Sequence, residues 1–134
     1  MATIIKDVEI ERSADEAWEA QQDFMAVHER LVPGFVTSSV PDGDDTRVVT
    51  FFNGAVAREV LVGIDKDARR LSYTIVESPL GFSAHSASAQ VFEEGDGRCR
   101  FVWITDVLPH DVAGRVDELM TQGIAVIQRT LNAG

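Results

Sequence analysis

Four polar residues in the middle of the chain could do chemistry if they face an apolar interior: Arg47, Glu59, Tyr73 and His85. Each lies in a segment where apolar and polar residues alternate, as in a β-strand. Burial can shift the pKa of a carboxyl or an imidazole towards general acid–base work. Arg47 or Tyr73 could stabilise a developing enolate. We therefore consider Glu59, Tyr73 and His85 as candidate catalytic residues.

The orientation of Glu59 depends on how its strand is placed, because apolar residues lie on both faces of segment 56–65. Alternation alone leaves open whether Arg58 or Glu59 turns inward. We favour Glu59, since Arg47 on the preceding strand could pair with it. A buried carboxylate without such a partner would neutralise or destabilise the fold.

The sequence shows no pattern typical of a metal or nucleotide site. No histidine lies at metal-ligand spacing from another histidine or from Cys99, so we expect no metal. P-loop, GxGxxG and GxSxG motifs do not occur, and we expect no cofactor. The single cysteine cannot form an internal disulfide, and its apolar surroundings favour a buried thiol over a reactive one.

Composition narrows the class of protein. The 134 residues are 45% hydrophobic and 25% charged, which predicts one globular domain over residues 1–134. A net charge of −10 without a basic cluster argues against binding to nucleic acids and against binding to anionic membranes. The charged N-terminus resembles neither a signal peptide nor a membrane span. We expect a cytoplasmic protein that does not insert into membranes.

The elements that must position the polar residues begin with a long amphipathic segment, 111–131. Its apolar residues recur at spacings of three and four, which predicts a helix with one apolar face and Asp111 as its N-cap. Near the other end, Ser13 and Glu16 form a capping-box pattern that predicts a short helix. A second short helix is predicted to start at Asp23 and to end before Pro33-Gly34.

Short strands fill most of the remaining chain. The predicted strands are 2–11, 34–40, 46–53, 56–65, 70–78, 83–93 and 98–108. Brief turns join them, so neighbours should be antiparallel, and Asn53-Gly54 predicts a tight type I′ hairpin. We expect an α+β fold in which seven antiparallel strands, with the first beside or near the last, curve around the long C-terminal helix.

A cavity between sheet and helix is the expected binding site, because strand 83–93 turns small alanines inward and leaves room. For the candidate lining residues the alternative is plain core packing, and for His85 it is a hydrogen bond at a strand end. The candidates are Trp18, Met25, His28, Arg47, Phe51, Glu59, Tyr73, His85, Trp103, Met120 and Ile124.

These residues also carry a family likeness. The likeness rests on Ser13 to Glu16 with Trp18, on Gly54, Glu59, Asp65, Arg70, Tyr73, Glu77 and Pro79-Leu80, and on Val102-Trp103. Over essentially its whole length, the chain resembles the polyketide cyclase/dehydrase and lipid-transport group of the START-like superfamily. That resemblance implies a helix-grip fold, a seven-stranded antiparallel sheet around a long C-terminal helix. A nuclear-transport-factor-like cone is the second choice, since it normally lacks a long terminal helix on its sheet.

The resemblance implies the binding of a small hydrophobic molecule, such as a lipid, a polyketide or an aromatic metabolite. Some members of the group catalyse cyclisation or dehydration, so an enzyme that uses the polar cavity residues is the first alternative. A protein-interaction module with an acidic surface is the second, and a homodimer is compatible with either. No family-wide catalytic motif assigns a role to a residue of this chain.

Overall fold

The computed structural model describes residues 2–134 and contains seven strands. The strands are β1 (Ala2–Ile10), β2 (Val36–Pro41), β3 (Thr46–Phe51), β4 (Val56–Asp65), β5 (Arg70–Glu77), β6 (Ala84–Glu93) and β7 (Cys99–Leu108). The helices are α1 (Ala14–Gln22), α2 (Val27–Arg30) and α3 (Ala113–Ala133), with 3₁₀ turns at Phe24–Ala26 and His110–Val112. None of the helices in residues 2–134 combines the length and the apolar character needed to cross a bilayer.

All seven strands form one antiparallel sheet in the order β1-β7-β6-β5-β4-β3-β2. The first strand lies directly beside the last, and their register runs from Ala2 opposite Val107 to Ile10 opposite Cys99. The predicted α+β fold, a curved seven-stranded sheet with a long C-terminal helix, is confirmed. Alternation was sufficient here because each strand buries one face only.

The long helix covers only one edge of the concave face of the sheet, the edge formed by β1 and β7. Ile124, Ile127 and Leu131 pack in one cluster with Ile10 and Phe101 of β1 and β7. Towards the start of the helix, a second cluster joins its residues to the opposite ends of the same two strands. The concave faces of β3 to β6 therefore curve past α3 without being filled by it.

The sheet is bent by irregular pairing in its second half. The register shifts between Val36 and Ser38 in β2, and at two places in β4, between Arg58 and Glu59 and between Leu61 and Gly63. An extra residue at such a shift bends the strand and increases its twist. These shifts place β2 to β5 around the interior rather than flat against one helix.

One predicted helix start and the continuity of a second predicted helix differ from the structure. The long helix begins at Ala113, with Val112 at the N-cap and no side-chain cap, so the prediction for Asp111 was wrong. The chain instead forms a 3₁₀ turn after Pro109, whose carbonyl accepts from the Val112 N–H. The second short helix is likewise divided into a 3₁₀ turn and the four-residue α2.

The hairpin between β3 and β4 is also different from the predicted type I′ turn. Phe51 N–H donates to the Ala55 carbonyl, so three residues form the loop. Only Gly54 has positive φ, at 85°, whereas a type I′ turn needs positive φ at both central residues. The Asn53 side chain accepts from Ala55 N–H instead, a local bond that favours the longer loop.

Replacing Ser13 by alanine should destabilise the protein by about 1 kcal/mol. The Ser13 hydroxyl oxygen accepts from the Glu16 N–H at 3.2 Å and thereby caps α1. Urea unfolding monitored by circular dichroism measures the loss. Ser83→Ala, at an exposed loop serine, is the matched control. Equal unfolding midpoints for the two variants would contradict the capping role.

Candidate ligand-binding cavity

A cavity of about 300 Å³ lies between the concave sheet, α3 and the short helices. Three of its lining residues are exposed: Asn53 in the β3–β4 loop, Pro79 in the β5–β6 loop and Arg115 in the first turn of α3. These positions identify the mouth. The inner end lies opposite, where α1 crosses the sheet and the lining residues are buried.

Small side chains are the reason for the empty space. Ala20 of α1, Ala57 of β4 and Ala89 of β6 are buried and line the cavity. Protein interiors normally pack without voids larger than a water molecule, so larger residues at these positions would fill it. The alanine-rich inward face predicted for strand 83–93 is present, although Ala87 packs outside the cavity wall.

An ion pair, Arg47–Glu59, lies in the cavity wall. The two residues are directly opposite on β3 and β4, and both the Nε and the Nη2 of Arg47 lie 2.8 Å from Glu59 Oε1. Only 7% of Arg47 and 5% of Glu59 are exposed. Arg58 points to the outer face and pairs with Asp42, so Glu59 is the inward residue.

Arg47 also connects the sheet to the segment between α1 and α2. Its Nη1 donates to the Phe24 carbonyl at 2.7 Å, and its guanidinium lies 3.8 Å from the centroid of the Phe24 ring. The centroid of the Tyr73 ring lies 5.3 Å from the same guanidinium. The positive charge therefore has a carboxylate, a carbonyl and two aromatic rings as partners, which offsets its burial.

Tyr73 lies next to this pair, and its hydroxyl oxygen accepts from the Trp103 indole N–H at 3.2 Å. Burial raises the pKa of Tyr73, and the negative charge of Glu59 raises it further. The hydroxyl therefore keeps its proton at neutral pH. It can donate that proton in a hydrogen bond to a bound molecule.

His85 occupies a gap where β5 and β6 separate. The backbone pairing of these strands ends at Tyr73 opposite Ala87. Beyond this pair, the backbone N–H of Ile75 donates to the side chain of His85, at 3.0 Å from Nδ1. The ring proton must therefore be on Nε2. Burial lowers the pKa of His85 to about 4, so the imidazole is neutral at pH 7. This geometry makes His85 a hydrogen-bond donor rather than a free base.

The structure brings most of the predicted lining residues together. Those that line the cavity are Arg47, Phe51, Glu59, Tyr73, His85, Trp103 and Met120. Those that lie outside its wall are Trp18, Met25, His28 and Ile124. The three candidate catalytic residues thus face one cavity, while their roles in binding or catalysis remain predictions.

The four outside residues have identifiable positions. Trp18 and Met25 pack with Phe24 and Leu71 in a cluster between α1 and the sheet. Ile124 belongs to the main core, and the Nε2 of His28 faces the neighbouring Glu29 at 3.4 Å. Helical periodicity predicts which face of a helix is buried, but it does not predict which part of that face reaches the cavity.

Several lining residues were not among the predicted ones. Gln21 is buried on α1 and its amide donates to the Ala89 carbonyl at 3.3 Å. Thr105 shares the inward face of Trp103, so alternation could have identified it. Phe82 comes from an irregular loop and contacts the His85 ring at 5.0 Å between centroids. No periodic signal marks a loop residue of this kind.

The cavity wall, as formed by the described residues, offers neither a cluster of metal ligands nor a reactive thiol. Within residues 2–134, no three side chains among His, Cys, Asp and Glu are placed to hold a metal ion. Cys99 is buried in the core outside the cavity, and burial raises the pKa of its thiol. The buried groups that could do chemistry on a bound molecule are therefore the Arg47–Glu59 pair, Tyr73 and His85, while Arg115 and Asp23 add charges to the less buried part of the lining.

Comparisons with known proteins agree with this architecture. Residues 1–132 match the model of the family described as polyketide cyclase / dehydrase and lipid transport. A search of curated protein sequences finds no match.

Solved structures share the fold at low sequence identity. A protein from Bacillus thuringiensis superposes with a TM-score of 0.86 at 18% identity, covering 97% of this chain and 98% of that one. A START superfamily protein from Mycobacterium smegmatis gives 0.73 at 13% identity, with 98% and 94% covered. Norcoclaurine synthase from Thalictrum flavum gives 0.71 at 20% identity, with 98% and 84% covered. The predicted START-like helix-grip fold is confirmed.

Lowering the pH from 7 to 5 should cost the wild type up to about 2 kcal/mol of stability through His85. Its pKa falls from an ordinary 6.5 to about 4 in the fold, so only the unfolded chain takes up a proton in that interval. His85→Gln should lose this part of the pH dependence. Urea unfolding at several pH values measures it, and parallel curves for both proteins would contradict the assignment.

Gly123→Ala should shrink the cavity without unfolding the protein. A Cβ there would lie 3.0 Å from Trp103 Cζ3 and 3.3 Å from Phe35 Cε2, and both rings line the cavity and can move into it. Alanine also favours the helix by about 1 kcal/mol, which offsets the strain. We expect near wild-type stability with several-fold weaker binding of the neutral fluorescent probe N-phenyl-1-naphthylamine.

Gly114→Ala is the matched control for this variant, because nothing lies within 4 Å of the added Cβ. It should keep the wild-type affinity for the probe. Equal affinities for the two variants would show that Gly123 does not set the size of the cavity.

Proposed function

The chain belongs to the polyketide cyclase / dehydrase and lipid transport family, and on that premise we propose that it binds a small, largely apolar, ring-bearing molecule in the cavity between sheet and α3. The observation that carries the proposal is the cavity itself, which is enclosed by core residues and has a mouth at Asn53, Pro79 and Arg115. Concave, mostly apolar sites with a few polar groups are typical of small-molecule binding.

The volume limits the size of the ligand. About 300 Å³ is at the lower end of the range for ligand pockets and equals the liquid volume of ~10 water molecules. Such a space suits a molecule of roughly two or three rings. A long acyl chain would have to extend through the mouth.

Aromatic walls favour a flat ligand. Phe35 and Phe51 line the cavity in an edge-to-face pair with centroids 5.7 Å apart, and Tyr73, Phe82 and Trp103 add further ring surface. Stacked and edge-to-face contacts stabilise ring ligands beyond simple burial. The structure of norcoclaurine synthase with dopamine and hydroxybenzaldehyde, two ring compounds, gives this choice support from within the fold.

Acid–base catalysis is a second candidate function, favoured by the convergence of Glu59, Tyr73 and His85 on one cavity. The two protonated groups, Tyr73 and His85, could donate to a substrate oxygen while Glu59 accepts a proton, as in a dehydration. Binding ranks first because Ile75 and Trp103 already hold His85 and Tyr73 in fixed hydrogen bonds. Those bonds restrict the reorientation that proton transfer requires.

N-phenyl-1-naphthylamine should bind the wild type saturably, with a dissociation constant on the order of micromolar. Ala89→Leu should weaken that binding at least about tenfold, because the larger side chain occupies the cavity. The gain in probe fluorescence on titration measures both affinities.

Ala125→Leu provides the matched control, since Ala125 is exposed on α3 outside the cavity lining. This variant should bind the probe like the wild type. Failure of the wild type to bind below millimolar probe, or equal affinities for Ala89→Leu and Ala125→Leu, would overturn the proposed function.

A further inference from the structure

One oxygen of the buried Glu59 carboxylate has no partner within the described part of the chain. Arg47 Nε donates to Oε1 and Arg47 Nη2 lies 2.8 Å from the same oxygen, whereas no donor in residues 2–134 forms a hydrogen bond with Oε2. Glu59 is only 5% exposed and lines the cavity. A carboxylate oxygen that faces a largely apolar cavity requires a donor, which water or a ligand must supply.

Three donors of the cavity wall already have acceptors other than Glu59. Arg47 Nη1 donates to the Phe24 carbonyl, the Gln21 amide donates to the Ala89 carbonyl, and the Trp103 indole donates to Tyr73. These three donors are therefore not available to Oε2, and the Tyr73 hydroxyl forms no hydrogen bond with Glu59. The acceptor is therefore presented to whatever occupies the cavity.

The charge of Glu59 also discriminates between ligands. Glu59 already balances Arg47, so a ligand carboxylate would bring a second negative charge into a space of low dielectric constant. A hydroxyl or an amine would instead form a charge-assisted hydrogen bond, which is among the stronger kinds. Glu59 thus favours neutral or cationic donors over acids.

We propose that Glu59 Oε2 is a recognition point for a hydroxyl or amine group on the ligand, so that the cavity selects ring compounds bearing such a donor and rejects carboxylic acids. The inference rests on the proposed function and specifies its ligand class. On the other side of Tyr73, the Nε2–H of His85 can donate to an acceptor on the ligand. An ether or a ketone can therefore still bind, but more weakly.

A matched series of bicyclic compounds tests the proposal on the wild type by calorimetry. Naphthalene gives the affinity of the apolar frame, 2-methoxynaphthalene adds an acceptor, 2-naphthol adds a donor to the same oxygen, and 2-naphthoate adds a negative charge. We expect 2-naphthol to bind about tenfold more tightly than 2-methoxynaphthalene, and 2-naphthoate to bind least tightly.

Glu59→Gln should reverse the preference. The N–H groups of Arg47 require an acceptor, so the amide oxygen should face Arg47 and the NH₂ group should face the cavity. The same position would then offer a donor, and 2-methoxynaphthalene should bind at least as well as 2-naphthol. Glu77→Gln makes the same change at an exposed glutamate of β5 and should keep the wild-type order.

The outcomes separate the two proposals. If the frame binds but 2-naphthol gains nothing over 2-methoxynaphthalene in the wild type, the recognition role of Glu59 is overturned and the proposed function stands. If none of the four compounds binds below millimolar, both are overturned. Should Glu59→Gln fail to fold, the wild-type series alone still decides the matter.

Discussion

The Arg47–Glu59 ion pair is the interaction on which the site depends. It joins β3 to β4 inside the cavity wall and, through the Phe24 carbonyl, ties the short helical segment to the sheet. Both charges are buried, so loss of either partner would leave the other unpaired at a cost of about 3–5 kcal/mol. The same pair places the charged carboxylate of Glu59 in the wall of a largely apolar cavity. The interaction that stabilises the wall is therefore also the one proposed to recognise the ligand.

The cavity itself follows from how the helix and the sheet meet. Helix α3 packs on β1 and β7, whereas register shifts in β2 and β4 curve the rest of the sheet past it. Alanines at the inner surface leave the intervening volume empty. Gly123 adds to this effect, because a side chain at that position would press Trp103 and Phe35 inward. The hollow is thus a consequence of specific small residues, not of loose packing.

The sequence predicted the architecture well because strand alternation and helical periodicity report burial directly. The same alternation placed Tyr73, His85 and Trp103 on the inner face. For Glu59 it was insufficient, because apolar residues lie on both faces of its strand, and only the possible partner Arg47 favoured the correct orientation. Trp18 was misplaced because periodicity defines the face of a helix but not its tilt. The contribution of Gly123 depends on two rings distant in sequence, which no local pattern records.

The central claim is that a permanent apolar hollow separates α3 from the sheet beside the Arg47–Glu59 pair. A crystal structure of the ligand-free protein under xenon pressure tests it most directly, because xenon occupies apolar cavities. The account predicts xenon between Trp103, Phe51 and Leu119, with Arg47 still paired to Glu59. Side chains that fill this space, with no xenon site between α3 and the sheet, would contradict it.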